Sequence, residues 1–219
     1  MKLSALGAAC VLVAALAYAQ TAPRPLPPDI DPQSYSRLPL IQKSSLDAEG
    51  QRIFEVINGK NATITRLGPP NNTMHSLLAA EPYDVLNQLL RKTIVGPAFF
   101  EISTLVPARE FNQQYEWTGH EIGAQRAGVP QNVIDVIKHN RPTTGLPEKE
   151  ATVIDFGRMM LRGDHQVSSE MWAKMVSLFG RQGTMEIVMI MGDYTMTAMV
   201  LNAVDQHLPP DRPPLLPFP

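Results

Sequence analysis

The sequence predicts an all-α fold, and two observations support this prediction. Between residues 44 and 208, apolar side chains recur three and four positions apart, which is the spacing of the buried stripe of a helix. No segment combines alternating apolar and polar residues with flanking hairpin turns, so the sequence predicts no sheet. Glycine and proline residues divide this helical part of the chain into segments.

The first predicted helices lie between the amino-terminal region and residue 112. One lies in SSLDAEGQRIFEVING, which opens with serines suited to capping and ends near Gly59. Residues 71–92 predict two short helices with a break near Pro82. The next helix starts near Pro97, since proline is tolerated in a first turn, and a kink is predicted at Pro107.

Further helices are predicted in the second half of the chain. One ends at Gly128 and the next opens at Pro130. Their segments are QQYEWTGHEIGAQRAG, PQNVIDVIKHN, EKEATVIDFGRMMLRG, SSEMWAKMVSLFGRQ and TMEIVMIMGDYTMTAMVLNAVDQ. The last segment is apolar nearly all round, and such a helix is buried in a core or in a subunit interface. This pattern predicts a homo-oligomer.

Residues 1–19 have the pattern of a secretory signal peptide. Lys2 gives a positive start, an apolar run of about a dozen residues follows, and residues 17–19 read AYA before Gln20. The run is too short for a stable membrane span. The sequence therefore predicts a secreted or periplasmic protein, and the alternative is an uncleaved membrane anchor.

The rest of the chain divides into three parts. Residues 20–43 form a proline-rich arm, residues 44–208 form the helical domain, and residues 209–219 form a second proline-rich tail. Proline-rich segments favour extended backbone, so we expect the arm to lie on the surface or on a neighbouring subunit.

Charge and cysteine content exclude several classes of function. The net charge is −2 and there is no run of basic residues, so nucleic-acid binding has no electrostatic support. No other apolar run is long enough to predict a membrane span after signal cleavage. The only cysteine is Cys10, inside the signal, which excludes disulfides and thiol chemistry from the mature chain. Asn61 and Asn71 begin N-glycosylation triplets.

The stretch YEWTGH, residues 115–120, is the first candidate for a functional site. Glu116 and His120 are four positions apart and share one face of a helix. Such a pair is often only a solvated ion pair. Glu101 lies between Phe100 and Ile102, and an acid with apolar neighbours either faces water or is buried with a perturbed pKa. A metal site of Glu101, Glu116 and His120 is a further alternative.

Residues 100–129, FEISTLVPAREFNQQYEWTGHEIGAQRAGV, carry a resemblance to a known family. The sequence from about residue 46 to residue 205 resembles the carboxymuconolactone decarboxylase family, whose fold is that of the alkyl hydroperoxidase D-like proteins. Glu101, Glu116 and His120 match the family pattern in spacing. The peroxidase branch of that family has cysteines at the places of Gln113 and Glu116, so a thiol peroxidase is not expected.

The resemblance implies an alkyl hydroperoxidase D-like helical bundle that assembles as a trimer or hexamer. It also implies a cofactor-free carboxy-lyase acting on a small carboxylated lactone or a related organic acid, with no metal. Glu101, Glu116 and His120 are predicted to transfer protons as one unit, with Glu101 as the main acid or base. Tyr115 and Trp117 are predicted to wall the substrate pocket. The alternative is a secreted small-ligand-binding protein that keeps this fold without catalysis.

Overall fold

Helices account for most of residues 26–217, the range that the computed structural model describes. Eight α-helices occur within this range: α1 Ala48–Asn58, α2 Pro69–Met74, α3 Leu77–Leu90, α4 Gly96–Glu110, α5 Gln114–Arg126, α6 Gln131–Lys138, α7 Glu148–Leu161 and α8 Ser169–Ala203. A 3₁₀ turn, Lys43–Ser45, precedes α1. Two isolated β-bridges are present, and no strand forms in the described range. The predicted all-α class is confirmed, whereas the predicted signal peptide lies outside the described residues.

Helix α4 forms the centre of the fold. Every residue from 102 to 108 in this helix is buried, so apolar contact surrounds its second half. Helices α5, α7 and α8 pack against it. Burial on several sides explains why α4 lacks the one-sided apolar stripe of a surface helix. Because α5 packs directly on α4, residues on these two helices can face each other across a buried contact.

Helix α8 is two helical segments joined at Gly180. This residue has φ 68° and ψ 171°, which is not helical. Side chains strongly disfavour this backbone conformation, and glycine accepts it because it has no Cβ. The sequence predicts the break between the last two helices a few residues later, near Gly183, but the structure places it at Gly180.

Length and composition alone would allow Ser169–Ala203 to cross a membrane, although no such span was predicted after the signal. Half of its most apolar window is buried inside the fold. Ile187, Ile190 and Leu201 are among its fully buried side chains. The helix therefore packs as a core element of this domain.

The two proline-rich segments pack onto the helices. In the arm, Ile30 is buried, and the Arg37 amide donates to the Val204 carbonyl beyond the end of α8. In the 209–217 segment, Leu216 belongs to the main core, and the Leu215 amide donates to Thr118 Oγ1 on α5. Both segments are thus part of the packed structure as far as it is described.

The structure places the prolines of both predicted irregularities inside helices. The chain breaks between α2 and α3 at residues 75–76, and Pro82 lies inside α3. Pro82 cannot donate to the carbonyl of Leu78, but Leu78 is 91 % exposed and water can replace the missing donor. Helix α4 continues through Pro107 and ends at Glu110. Asn112, with φ 49°, then turns the chain into α5.

Candidate active site

Helices α4 and α5 position the predicted site residues. Glu101 lies on α4, and Glu116 and His120 lie on α5, which begins after the turn at Asn112. The Gln113 side chain caps α5, because its Oε1 accepts from the Tyr115 amide at 2.7 Å. The turn and the cap fix the direction in which α5 returns along α4.

Glu101 and His120 form a direct pair. Glu101 Oε2 lies 2.7 Å from His120 Nδ1, and the two side chains are only 13 % and 14 % exposed. Gly123 makes this approach possible, since a Cβ at that position would lie 2.6 Å from Glu101 Oε1. The His120 ring also packs edge-on against Tyr194, with 4.8 Å between ring centroids. The imidazole is therefore held in one orientation by contacts on two sides.

Glu116 has a different environment from Glu101. Its residue is 5 % exposed, and its Oε2 is buried without a hydrogen-bond partner among the described residues. Burial raises the pKa of Glu116 well above its ordinary value, and the nearby negative charge of Asp193 raises it further. Arg91 opposes this rise in pKa. The Glu116 carboxyl group therefore keeps its proton to higher pH than an exposed glutamate does.

A polar network on α3 and α8 completes this side of the site. Asn87 Nδ2 donates to Asp193 Oδ2 at 2.8 Å, and Arg91 Nη2 donates to the Tyr194 hydroxyl at 2.9 Å. Burial raises the pKa of Asp193, while Asn87 and Arg91 oppose that rise. The sequence prediction missed these residues. The sequence could have identified Asp193 as a candidate, because a single acid in the apolar stretch MIMGDYTM must be exposed or partnered.

Glu116 and His120 line a cleft of about 650 Å³ together with Asn87, Arg91 and Tyr194. The cleft is lined by acidic, basic and aromatic side chains, namely Tyr83, Asp84, Arg66, Arg91, Tyr115, Glu116, His120, Tyr194 and Arg212. Its volume is in the range of small-molecule sites in proteins. Glu101 is not part of the cleft wall and lies behind His120, which it contacts through Nδ1.

Trp117 does not wall the cleft, contrary to the prediction, whereas Tyr115 does. The Trp117 side chain is fully buried in the main core. Its Nε1 donates to Glu121 Oε2, and Glu121 Oε1 accepts from Lys138 Nζ at 2.7 Å. One residue along a helix turns the side chain by about 100°, so Glu116 and Trp117 point to different surroundings.

No three His, Cys, Asp or Glu side chains in the described range are arranged to hold a metal ion. The alternative of a metal held by Glu101, Glu116 and His120 therefore lacks the required convergence. The three groups form a carboxylate and imidazole pair with a separate buried carboxyl. That arrangement suits proton transfer, because a histidine and a protonatable acid face one cleft.

The fold is similar to a solved structure. That structure is the alkylhydroperoxidase AhpD core of an uncharacterized peroxidase-related protein from Ralstonia eutropha JMP134. The TM-score is 0.60 at 18 % sequence identity, and the match covers 79 % of this chain and 92 % of that chain. The protein therefore has the alkyl hydroperoxidase D core fold. No family model matches the sequence, and no curated protein sequence matches it.

Proposed function

We propose that the protein is a cofactor-free acid-base enzyme of the decarboxylase type, acting on a small carboxylated lactone or related organic acid. The observation that carries this proposal is the buried Glu101 and His120 pair beside the protonatable Glu116, at a cleft of about 650 Å³. The resemblance of residues 100–129 to the carboxymuconolactone decarboxylase family supports the same reaction class.

The proposed reaction breaks one carbon–carbon bond. The substrate carboxylate leaves as CO₂, and the electron pair moves into a conjugated carbonyl group of the substrate. His120 or Glu116 then delivers a proton to the carbon that receives the electrons, so each CO₂ released consumes one proton. Glu101 stabilises the positive charge on His120 when the imidazole holds a proton. Arg91, whose Nη2 donates to the Tyr194 hydroxyl at 2.9 Å, can stabilise the negative charge that develops on the conjugated carbonyl group.

This assignment exchanges the roles expected for the two glutamates. Glu101 was expected to be the main acid or base, but its contact with Nδ1 makes it the residue that orients His120. Glu116 is the carboxyl group whose pKa is raised by burial, so it is the better reservoir for a proton. Tyr115 keeps its proposed place beside the substrate.

Thiol peroxidase chemistry does not fit these residues. The position of one expected cysteine is occupied by Gln113, whose Nε2 donates to Asn202 Oδ1 at 2.7 Å. The other is occupied by Glu116, and the chain has a single cysteine, Cys10. A peroxidase of this class needs a thiolate that becomes a sulfenic acid and then a disulfide.

The test measures turnover of a panel of carboxylated lactones. Turnover is monitored by CO₂ release and by deuterium uptake at carbon in D₂O. We expect His120→Gln and Glu101→Gln each to lower kcat by roughly 10²–10⁴-fold. Because the residues act as a unit, the double variant is expected to be little worse than the worse single variant. His139→Gln is the matched control, since His139 is exposed and makes no side-chain hydrogen bond within residues 26–217.

Two outcomes of this test would contradict the proposal. Turnover by both variants at the rate of the parent would show that the pair has no catalytic part. Binding of panel compounds without any turnover would favour the ligand-binding alternative.

We also propose that the protein is exported, on the basis of the pattern in residues 1–19. Mass spectrometry of the native protein is expected to find an amino terminus at or near Gln20. An intact Met1 in the mature pool would contradict export with cleavage.

A further inference from the structure

We propose that Asn61 carries an N-linked glycan in the exported protein, whereas Asn71, which begins the second acceptor triplet, does not. The inference rests on the proposed export, because N-linked sugars are added to proteins in the secretory pathway. Residues 61–63 and residues 71–73 satisfy the acceptor pattern equally well. The two triplets differ in where the fold places them.

The first triplet lies on the surface between α1 and α2. Asn61 is in a turn just after α1, and both Asn61 and Thr63 are exposed. Neither side chain has a hydrogen-bond partner within residues 26–217. The loop is held through its backbone instead, since the Thr63 carbonyl accepts from the Lys43 amide at 2.9 Å. A bulky polar sugar at Asn61 can therefore extend into solvent without breaking a contact.

The second triplet is buried inside the fold. Asn71 is 1 % exposed and lies within helix α2. Its Nδ2 donates to the carbonyls of Leu38 and Pro39, each at 3.3 Å. Its Oδ1 accepts from the Ile41 amide at 3.2 Å and from Thr65 Oγ1. The whole amide group of Asn71 thus holds the proline-rich arm against α2.

A sugar on Asn71 is incompatible with these contacts. The new bond would replace one N–H of Nδ2, so a carbonyl of the arm would lose its donor. A sugar also has no room beside a side chain that is enclosed by close-packed neighbours. Transfer takes place before the chain folds, so a chain modified at Asn71 cannot reach this structure. The folded, exported protein therefore carries its sugar on Asn61.

The transfer changes one atom of Asn61. Nδ2 forms a bond to the anomeric carbon of the first sugar, and the bond from that carbon to the diphosphate of a lipid-linked oligosaccharide breaks. Nδ2 loses one proton, and the lipid diphosphate leaves with the electron pair. The transferase of the host supplies the catalysis. Thr63 is needed because the hydroxyl at the third position completes the acceptor pattern.

The experiment begins with the native mature protein. Its peptides are treated with peptide N-glycosidase in heavy-oxygen water, which converts a glycosylated asparagine to a labelled aspartate. Mass spectrometry is expected to find the label at position 61 and an unlabelled asparagine at position 71. Peptides kept without the enzyme are the control for spontaneous deamidation.

Matched threonine variants of the full chain, secreted from a eukaryotic host, assign the sugar to one triplet. Thr63→Ala is expected to abolish the mass that the glycosidase removes. Thr63→Ser is expected to keep that mass, because serine also satisfies the acceptor pattern. Thr73→Ala is the control, since it breaks the second triplet and is expected to leave the glycan mass unchanged.

Three results would overturn the inference: a label at position 71, no label at position 61 of the native protein, or a glycan mass that survives Thr63→Ala. The test is separable from that of export. An amino terminus at Gln20 without sugar on Asn61 would remove the glycan and keep export. An intact Met1 without sugar would remove both.

Discussion

At the scale of single residues, burial distinguishes the two glutamates of the site in a way that their sequence neighbours do not. Glu101 stands between Phe100 and Ile102, which suggested an apolar environment for its carboxylate. Adjacent residues on a helix point in different directions, so these neighbours enter the core while Glu101 meets His120. The deeply buried carboxyl is Glu116, whose sequence neighbours Tyr115 and Trp117 gave no such indication.

The raised pKa of Glu116 predicts a pH-dependent contribution to stability. The folded protein holds this proton more tightly than the unfolded chain, where the pKa is near 4.5. The contribution is complete below that value, and the free energy of unfolding falls as pH rises toward the raised pKa. Glu116→Gln keeps a neutral side chain and is expected to become progressively more stable than the parent above about pH 4.5.

Urea unfolding of both proteins between pH 4 and pH 8 measures this difference. Its slope is expected to approach about 1.4 kcal/mol per pH unit within the window. Glu170→Gln, at an exposed position in the first turn of α8, is the control and is not expected to show the trend. A difference that is constant with pH would contradict the raised pKa of Glu116.

The structure brings some of the predicted site residues together for identifiable reasons. The i, i+4 spacing of Glu116 and His120 on α5 follows from helical periodicity and is visible in the sequence. The pairing of Glu101 with His120 depends on how α4 crosses α5 and on the small Gly123, so periodicity could not reveal it. Arg91 and Arg212 reach the cleft from distant parts of the chain, and their sequence context carries no signal of this.

At the scale of helices, the positions of breaks depend on backbone conformation more than on the presence of proline. A helix break was expected at Pro82, yet this proline lies inside α3. Pro107 lies inside α4, where a kink was predicted. The observed break in α8 occurs at Gly180, where the backbone has positive φ. The helical type of these segments followed from apolar periodicity, whereas their number and junctions required three-dimensional packing.

Gly180→Ala is expected to destabilise the protein by about 1–3 kcal/mol, because an alanine at φ 68° and ψ 171° is strained. Denaturant unfolding measures the change in the free energy of unfolding. Gly192→Ala in the same helix is the matched control, since a Cβ added at that position would meet no neighbouring side chain within 4 Å. That change is expected to be neutral or to stabilise by up to about 1 kcal/mol. Equal effects of the two substitutions would disprove the strain at Gly180.

At the scale of the whole molecule, the second half of α8 presents an apolar stripe to solvent. Its members recur at helical spacing and are 42–58 % exposed: Met185, Met189, Met196 and Met199. Exposed apolar surface of this kind is typical of contacts between subunits. The apolar character of this helix was the reason for predicting a homo-oligomer, which stays a prediction.

Light scattering at micromolar concentration is expected to give a mass that is a multiple of the subunit mass. Met189→Lys is expected to shift the mass toward that of one subunit, because it places a charge in the stripe. Val56→Lys, at a position 48 % exposed on α1, is the control and is expected to leave the mass unchanged. A monomer mass for the parent protein would contradict the prediction.

The packing of Leu216 into the core has a consequence for the order in which the protein is built. The ribosome makes the chain from the amino terminus, and domains begin to fold during synthesis. Arg212 and Leu216 are made after all eight described helices. The cleft therefore lacks the Arg212 part of its wall until synthesis has passed α8. The core that carries His120 and the wall near Tyr115 are thus completed together by the same short segment.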